Sequence, residues 1–424
     1  MYSQTIFSNG LKLITVPVKD AKTATVLVLL PVGSRYELPH LNGTSHFIEH
    51  MMFKGTKKRL NSLAISKELD GIGAYYNAFT GKDHTGYWVK SAKEKISTSL
   101  DVLSDMLFNS VFDKKEFDHE KTVILEEIKM YEENPLFYIN EFFENALFNK
   151  HALGQLISGH LSDVQRLSRQ SLVKYKELFY QPNQMLIIVA GGIEKTQTIK
   201  LVKKYFAAYQ GRAKKIKYTP LIRKKSKPDI KIRFKKLKQT QLALGGFAYP
   251  YNHPKLEATA LLSTILGGNM SSRLFTQVRD KRGLAYSIKM GLGKYQDIGN
   301  YVIQAGVDKE KVLETIKVIL DELNKVKKDI VTKEELVRAK DYIEGIMKIL
   351  LEDSANLATW YGYQSLFVGK IVSPSQQLGK LKKVTQKQIQ NAAQDIFCKQ
   401  GLKLALIGPF KSKQPLLRVL QKGI

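Results

Sequence analysis

The chain opens with short runs in which apolar and polar side chains alternate. Ile6 to Ile14 reads as two antiparallel strands joined by a two-residue turn at Asn9-Gly10, and Ala24 to Val32 continues as a further strand. Longer stretches then place their apolar residues at helical spacing, among them Glu310 to Lys327 and Lys333 to Leu351. In the helix predicted from Asp113 onward, Phe117, Ile124, Ile128 and Tyr131 form one stripe at about 100° per residue. Asp113 with Glu116 reads as its capping box and Asn134-Pro135 as its end. Glu120 and Glu127 lie on one edge of the stripe, whereas Glu126, Glu132 and Glu133 fall on the solvated side. Meandering strands interleaved with helical pairs predict an α+β fold, with helices against one face of a largely antiparallel sheet.

Part of the pattern occurs twice. Ser168 to Gly191 and Thr385 to Gly408 align without gaps, each a capping hydroxyl, an amphipathic helix and an apolar strand ending in Gly. Equivalent units half a chain apart imply two related modules, and 424 residues exceed what one core ordinarily organises. Between Gly211 and Pro228 the chain is rich in Lys and Arg, carries two prolines and loses apolar periodicity. We therefore expect a first module at 1–212, a basic linker at 213–228 and a second module at 229–424.

Composition bounds the partners. The formal charge is +28, yet the Lys residues that dominate it are spread over helices and linker. With no aromatic-interleaved RNA signature, zinc-finger spacing or P-loop, this reads as a Lys-rich solvated surface, and no specific nucleic acid is expected. The single cysteine, Cys398, excludes an intrachain disulfide and reads as a small apolar core residue. Met1 leads straight into a strand pattern, and no apolar run is long enough to span a bilayer, so a cytoplasmic protein is expected.

The candidate chemistry begins at His46-Phe-Ile-Glu49-His50. On a helix, positions three and four apart share a face, so both imidazoles can hold one metal ion with Glu49 beside them. Thr44-Ser45 offers an N-cap, Gly55 a stop, and Phe47, Met51 and Met52 apolar cover. Nitrogen donors with an open position suit a hydrolytic zinc, and a neighbouring carboxylate can take a proton from water. A further donor is needed. Glu120 and Glu127, drawn toward an apolar face, are the candidates, because a buried carboxylate without a cation is costly. The latter half of the chain holds no second copy of this motif.

These residues resemble the inverted-motif (HxxEH) zinc peptidases of the pitrilysin/insulinase family, whose signature here is His46-Phe-Ile-Glu49-His50 followed by Glu120-x-x-Val-Ile-x-x-Glu127. Asn77-Ala-Phe-Thr80 with Thr85-x-Tyr87, His151-Ala-Leu-Gly154-x-x-Ile157-x-Gly159, and Ser271 to Ser287 with Arg279 and Tyr286 extend the likeness over nearly the whole chain. It is strongest to the two-domain branch of bacterial processing-type peptidases and the mitochondrial processing peptidase. The resemblance implies the αβ-roll type of metallopeptidase module, about one zinc per chain held by His46, His50 and Glu127, Glu49 as general base and Glu120 as a supporting carboxylate. It further implies substrate contacts by Asn77 and Ala78 through strand addition, and by Arg279 and Tyr286. It assigns His84 no role, and that residue reads as an exposed turn histidine after Gly81. The implied activity is endopeptidase cleavage of peptides or unfolded segments enclosed in a chamber, built by a homodimer or by a heterodimer of paralogues. Two other classes remain open: a non-catalytic partner subunit of the same family, which metal analysis distinguishes, and a basic nucleic-acid-binding protein, which salt-dependent binding without zinc would reveal.

Overall fold

The computed structural model describes residues 2–211, 217–223 and 226–423. The first half runs β1 (Ser3–Ile6), β2 (Lys12–Pro17), β3 (Thr23–Leu30), α1 (Thr44–Met51), α2 (Ser62–Asp70), β4 (Tyr75–Thr80), β5 (Thr85–Ala92), α3 (Ile96–Asn109), α4 (Lys114–Glu133), α5 (Pro135–Phe148), α6 (Leu161–Arg166), α7 (Arg169–Phe179), β6 (Leu186–Gly191) and α8 (Lys195–Phe206). The second half runs β7 (Asp229–Phe234), β8 (Gln239–Ala248), α9 (Leu256–Gly267), β9 (Ala285–Lys294), β10 (Gly299–Asp308), α10 (Val312–Lys328), α11 (Lys333–Leu351), α12 (Ser354–Tyr363), α13 (Pro374–Lys382), α14 (Gln386–Ile396), β11 (Lys403–Gly408) and α15 (Gln414–Gly423).

Two sheets result, ordered β1-β2-β6-β3-β5-β4 and β7-β11-β8-β10-β9. Every pairing is antiparallel except β2 with β6 and β7 with β11. The parallel pair thus sits at the same place in both sheets, and its inner members β6 and β11 are the two repeated apolar segments. The helices before them match too: α7 starts at a Ser168 capping box and α14 at a Thr385 capping box. The α+β, two-module architecture expected from the pattern is present.

One expectation changes. Helices cover both faces of the first sheet, and β3 shows why: its burial is nearly continuous. Val26, Val28 and Leu30 pack toward Phe47, Leu100, Ile124 and Leu172, while Leu27 and Leu29 pack toward Leu357, Ala358 and Tyr361 of α12. At about 1.5–3 kcal/mol for each large apolar side chain buried, neither face is dispensable. The approach of α12 is close enough that a Cβ on Gly362 would lie 2.6 Å from Leu29 Cδ1.

The chain divides into two compact units, each taking one segment from the other half of the sequence. Unit 1 comprises 1–129, 155–219 and 348–371, and unit 2 comprises 130–154, 220–347 and 372–424. Helix α12 therefore belongs to unit 1, and α5 belongs to unit 2, where Phe143 lies over Gly245 of β8 and Tyr138 under the Arg233 guanidinium of β7. Of the segment expected as a linker, residues 213–216, 224 and 225 lie outside the described residues. Tyr218 and Thr219 meet the Arg35 guanidinium, and Leu221 N donates to Asp297 at 2.7 Å.

Two local expectations are corrected here. The β1–β2 turn is a three-residue loop, closed by Gly10 N donating to Phe7 O, with Gly10 at φ +82°. Asn9 is drawn inward, where its Nδ2 donates to the carbonyls of Phe206 and Tyr209 at 3.1 and 2.8 Å. Cys398 is only half-buried, its thiol donating to the Asp395 carbonyl at 3.1 Å.

Candidate metal centre

Helix α1 is short and carries its apolar residues inward. Phe47, Ile48 and Met51 are fully buried, and the Phe47 ring stacks on Phe117 of α4 with centroids 4.9 Å apart. That stack aligns the two helices that supply the site. On α4, Glu120 follows Phe117 by three residues and Glu127 follows by ten, so both share its inward face. Glu120 is buried, Glu127 half-buried and Glu126 exposed, its carboxylate instead pairing with Lys129.

The start of α1 differs from the local reading. Thr44 and Ser45 lie within the helix, and the residue before it, Gly43, adopts φ +94°. The free amides are taken by a distant carboxylate: Glu37 accepts from Gly43 N at 2.8 Å, Ser45 N at 2.6 Å and Asn42 Nδ2 at 3.0 Å. Burial pushes the Glu37 carboxyl up to about 7, against these three donors, which favour its anion. The motif from His151 to Gly159 has a visible task here. Asn42 Nδ2 also donates to Leu156 O at 2.9 Å, and a Cβ on Gly159 would lie 2.7 Å from Asn42 O.

At the other end of α1 the donors converge. His46 Nε2 and His50 Nε2 lie 3.9 and 3.5 Å from Glu127 Oε2. The second nitrogen of His50, Nδ1, is 2.8 Å from Glu120 Oε1, and the Lys54 ammonium is 2.6 Å from Glu120 Oε2. Burial raises the Glu120 carboxyl, but hydrogen bonds from His50 and Lys54 hold it below its ordinary value. An anionic Glu120 accepts a hydrogen bond from the Nδ1–H of His50, so in the neutral ring Nε2 carries the lone pair. Burial pushes His46 down to about 3, so that ring is neutral near pH 7.

Two imidazole nitrogens and a carboxylate oxygen therefore face one another. Their ligand atoms lie within 4.8 Å of one another, and this is the one such group among the described residues. A tetrahedral ion at about 2.0–2.1 Å from each donor needs donor separations of roughly 3.3 Å, which small side-chain adjustments reach. The donor set fits a zinc-type cation. Glu49 stands beside it, accepting a hydrogen bond from Thr80 Oγ1 at 2.5 Å. Burial raises the Glu49 carboxyl above its ordinary value, opposed by the Thr80 donor.

The remaining expected site residues fall in two places. Asn77 and Ala78 are on β4, which among the described residues pairs only with β5 and forms an edge of its sheet. Asn77 is exposed, and its Oδ1 accepts from Ala78 N at 2.8 Å. Arg279 and Tyr286 stand in unit 2, near one another: the guanidinium lies 5.7 Å from the Tyr286 ring and 4.7 Å from Phe275. Tyr286 is 75% exposed.

Residues 13–160 match the insulinase family (peptidase family M16), and residues 166–343 match the peptidase M16 inactive domain. The chain belongs to the insulinase family. An uncharacterized zinc protease of Bacillus subtilis is 33% identical over 401 residues, 95% of this chain and 97% of the relative. A second, from Streptomyces coelicolor, is 31% identical over 97% of this chain and 90% of its own length. Among solved structures, a protease from Helicobacter pylori has a TM-score of 0.91 at 24% identity, covering 96% of this chain and 99% of that one. A peptidase M16 inactive domain from Pseudomonas fluorescens has a TM-score of 0.90 at 18% identity, covering 97% and 98%. These two speak for the fold alone.

In this insulinase-family chain, sequence reasoning missed three contributors. Lys54 follows His50 by four residues, a spacing that could have marked it. Thr80 follows Ala78 by two on a strand and so shares its face. Glu37 carried no local signal.

His84 is a correction. It is half-buried rather than exposed, with Nε2 2.7 Å from the Tyr363 hydroxyl and its ring 5.7 Å from Phe79 and 5.4 Å from Phe367. Burial pushes it down from 6.5 to about 4. Above pH 6.5 the ring is neutral whether the chain is folded or not, so it adds no pH dependence. As pH falls below 6.5, only the unfolded chain takes up the proton, and stability is lost until about pH 4. His84→Gln removes that term. Urea unfolding of both proteins should show the stability gap moving toward the variant by about 2 kcal/mol between pH 7 and pH 4.5. An identical gap at both pH values would mean that the ring is not held neutral.

Proposed function

We propose that this chain is a zinc-dependent endopeptidase acting on peptides or unfolded segments. The observation that carries the reading is the convergence of His46 Nε2, His50 Nε2 and Glu127 Oε2 beside a carboxylate, Glu49, that binds none of them. His46, His50 and Glu127 would hold the ion. Its chemistry when bound is Lewis acidity toward water and a peptide carbonyl. Glu49 accepts a proton from water as oxygen adds to the carbonyl carbon, then returns it to the amide nitrogen as the carbon–nitrogen bond breaks. Glu120, neutralised on one side by Lys54, holds His50 in the tautomer that presents Nε2. The free edge of β4 at Asn77 and Ala78 suits an extended backbone added as a further strand, which would fix the scissile bond near Glu49. Arg279 and Tyr286 complete the site by contacting substrate, supplied by the second unit of a partner copy in a homodimer.

A quenched peptide library tests this. The zinc-loaded protein should cleave it, lose cleavage on chelation and regain it with zinc. No cleavage by protein of full zinc content would favour the non-catalytic partner subunit. In the same assay, equal amounts of Glu49→Gln and Arg279→Ala/Tyr286→Phe chains are mixed under subunit exchange. About a quarter of parental activity should return, because half the dimers are hybrids and each holds one intact site. No recovery despite confirmed exchange would discard the shared site.

A further inference from the structure

The β4–β5 turn is anchored far more firmly than a hairpin tip requires. Three successive residues, Lys82, Asp83 and His84, each reach a different segment of unit 1. The Lys82 ammonium bonds the Gln155 carbonyl, and Asp83 pairs with Arg35 at 3.3 Å. Arg35, buried beneath Tyr218, donates onward to Thr219 O at 3.0 Å. His84 bonds the Tyr363 hydroxyl at 2.7 Å. The turn backbone is fixed as well: Ser34 N donates to Gly81 O at 3.1 Å and Arg35 N to Lys82 O at 3.0 Å. Gly33 has no room for a side chain, since a Cβ there would lie 2.1 Å from Gly81 O.

Buried charges at an ordinary hairpin tip would be a net cost, because each must be desolvated before it is paired. What they hold in place is the last residue of β4, Thr80, whose hydroxyl donates to Glu49 Oε2 at 2.5 Å. That bond engages one carboxylate oxygen and leaves the other for a proton. A β-branched residue suits the task, since its χ1 is stiff and the hydroxyl direction follows from the strand. The strand with the free edge therefore ends in the group that orients the carboxylate. We infer that Thr80 is a positioning residue for Glu49, held by the anchored turn at residues 81–84, so that one rigid strand both offers an edge to substrate and aims the base. This rests on the peptidase reading of Glu49.

The test is Thr80→Val, nearly isosteric and without the donor, alongside Thr80→Ser. In the valine variant kcat should fall about ten- to a hundredfold, with KM within about twofold and metal content unchanged. The serine variant keeps the donor and should stay within about threefold of the parent. Thr80→Val should cost nothing further in a Glu49→Gln background. Parental kcat in the valine variant, a change confined to KM, or an undiminished further loss in the Glu49→Gln background would each overturn the inference. Should the parent cleave no peptide, the peptidase reading fails by itself. Crystal structures of parent and Thr80→Val then decide the positioning: a displaced Glu49 carboxylate supports it, and an unmoved one overturns it.

Discussion

Glu49→Gln should leave fold and metal content unchanged and lower kcat by about two to four orders of magnitude. The amide keeps the shape of the side chain and can still accept from Thr80 Oγ1, so the local packing survives. It cannot take a proton at neutral pH. Glu49 lies outside the candidate ligand set, which separates this variant from any that simply loses the ion. Metal analysis and steady-state kinetics on one preparation decide the matter. Parental turnover would remove Glu49 from the chemistry, and coincident loss of metal would make it a ligand.

Metal content should discriminate sharply among the acidic residues of a single helix. Glu127→Gln should weaken zinc binding by more than about a hundredfold, because it removes a donor that faces both imidazoles. Glu120→Gln should fall in the range of about ten- to a hundredfold, since it loosens only the His50 tautomer. Glu126→Gln should change nothing, its carboxylate being 66% exposed and paired with Lys129. Competition against a chromogenic chelator measures all three without reference to activity. A weaker effect at Glu127 than at Glu120 would reverse their assigned roles, and an effect at Glu126 would deny the helix register.

Helix α4 also shows what the sequence could reveal. Its inward residues Phe117, Glu120, Ile124 and Ile128 are those that the periodicity picks out, because one face of a straight helix meets one continuous core. Tyr131 belongs to the same stripe yet is 41% exposed. The helix passes out of unit 1 after Lys129, so the core that would have covered Tyr131 ends there. The other departures come from partners supplied by distant segments. His84 reads as an exposed turn residue until Tyr363 and Phe367, far along the chain, close over it. The Asn9 side chain is held inward by the end of α8, and the cap of α1 comes from Glu37 instead of the adjacent hydroxyls. Periodicity and spacing encode what a segment does by itself. Partners supplied from other segments leave no local trace, which is why the inward face of the helix with the candidate ligands was legible and its supports were not.

The traded helices α5 and α12 make the folding units different objects from the two halves of the polypeptide. A fragment ending at residue 212 would keep every candidate metal ligand, yet it would lack the cover over Leu27, Leu29 and Ile188 that α12 provides. It would also carry α5 with Phe142 and Phe143 stripped of the sheet against which they pack. The complementary fragment would have the reciprocal defect. Neither half holds a complete folding unit, so a ribosome must deliver the chain at least as far as α12 before the unit with the candidate metal ligands can close.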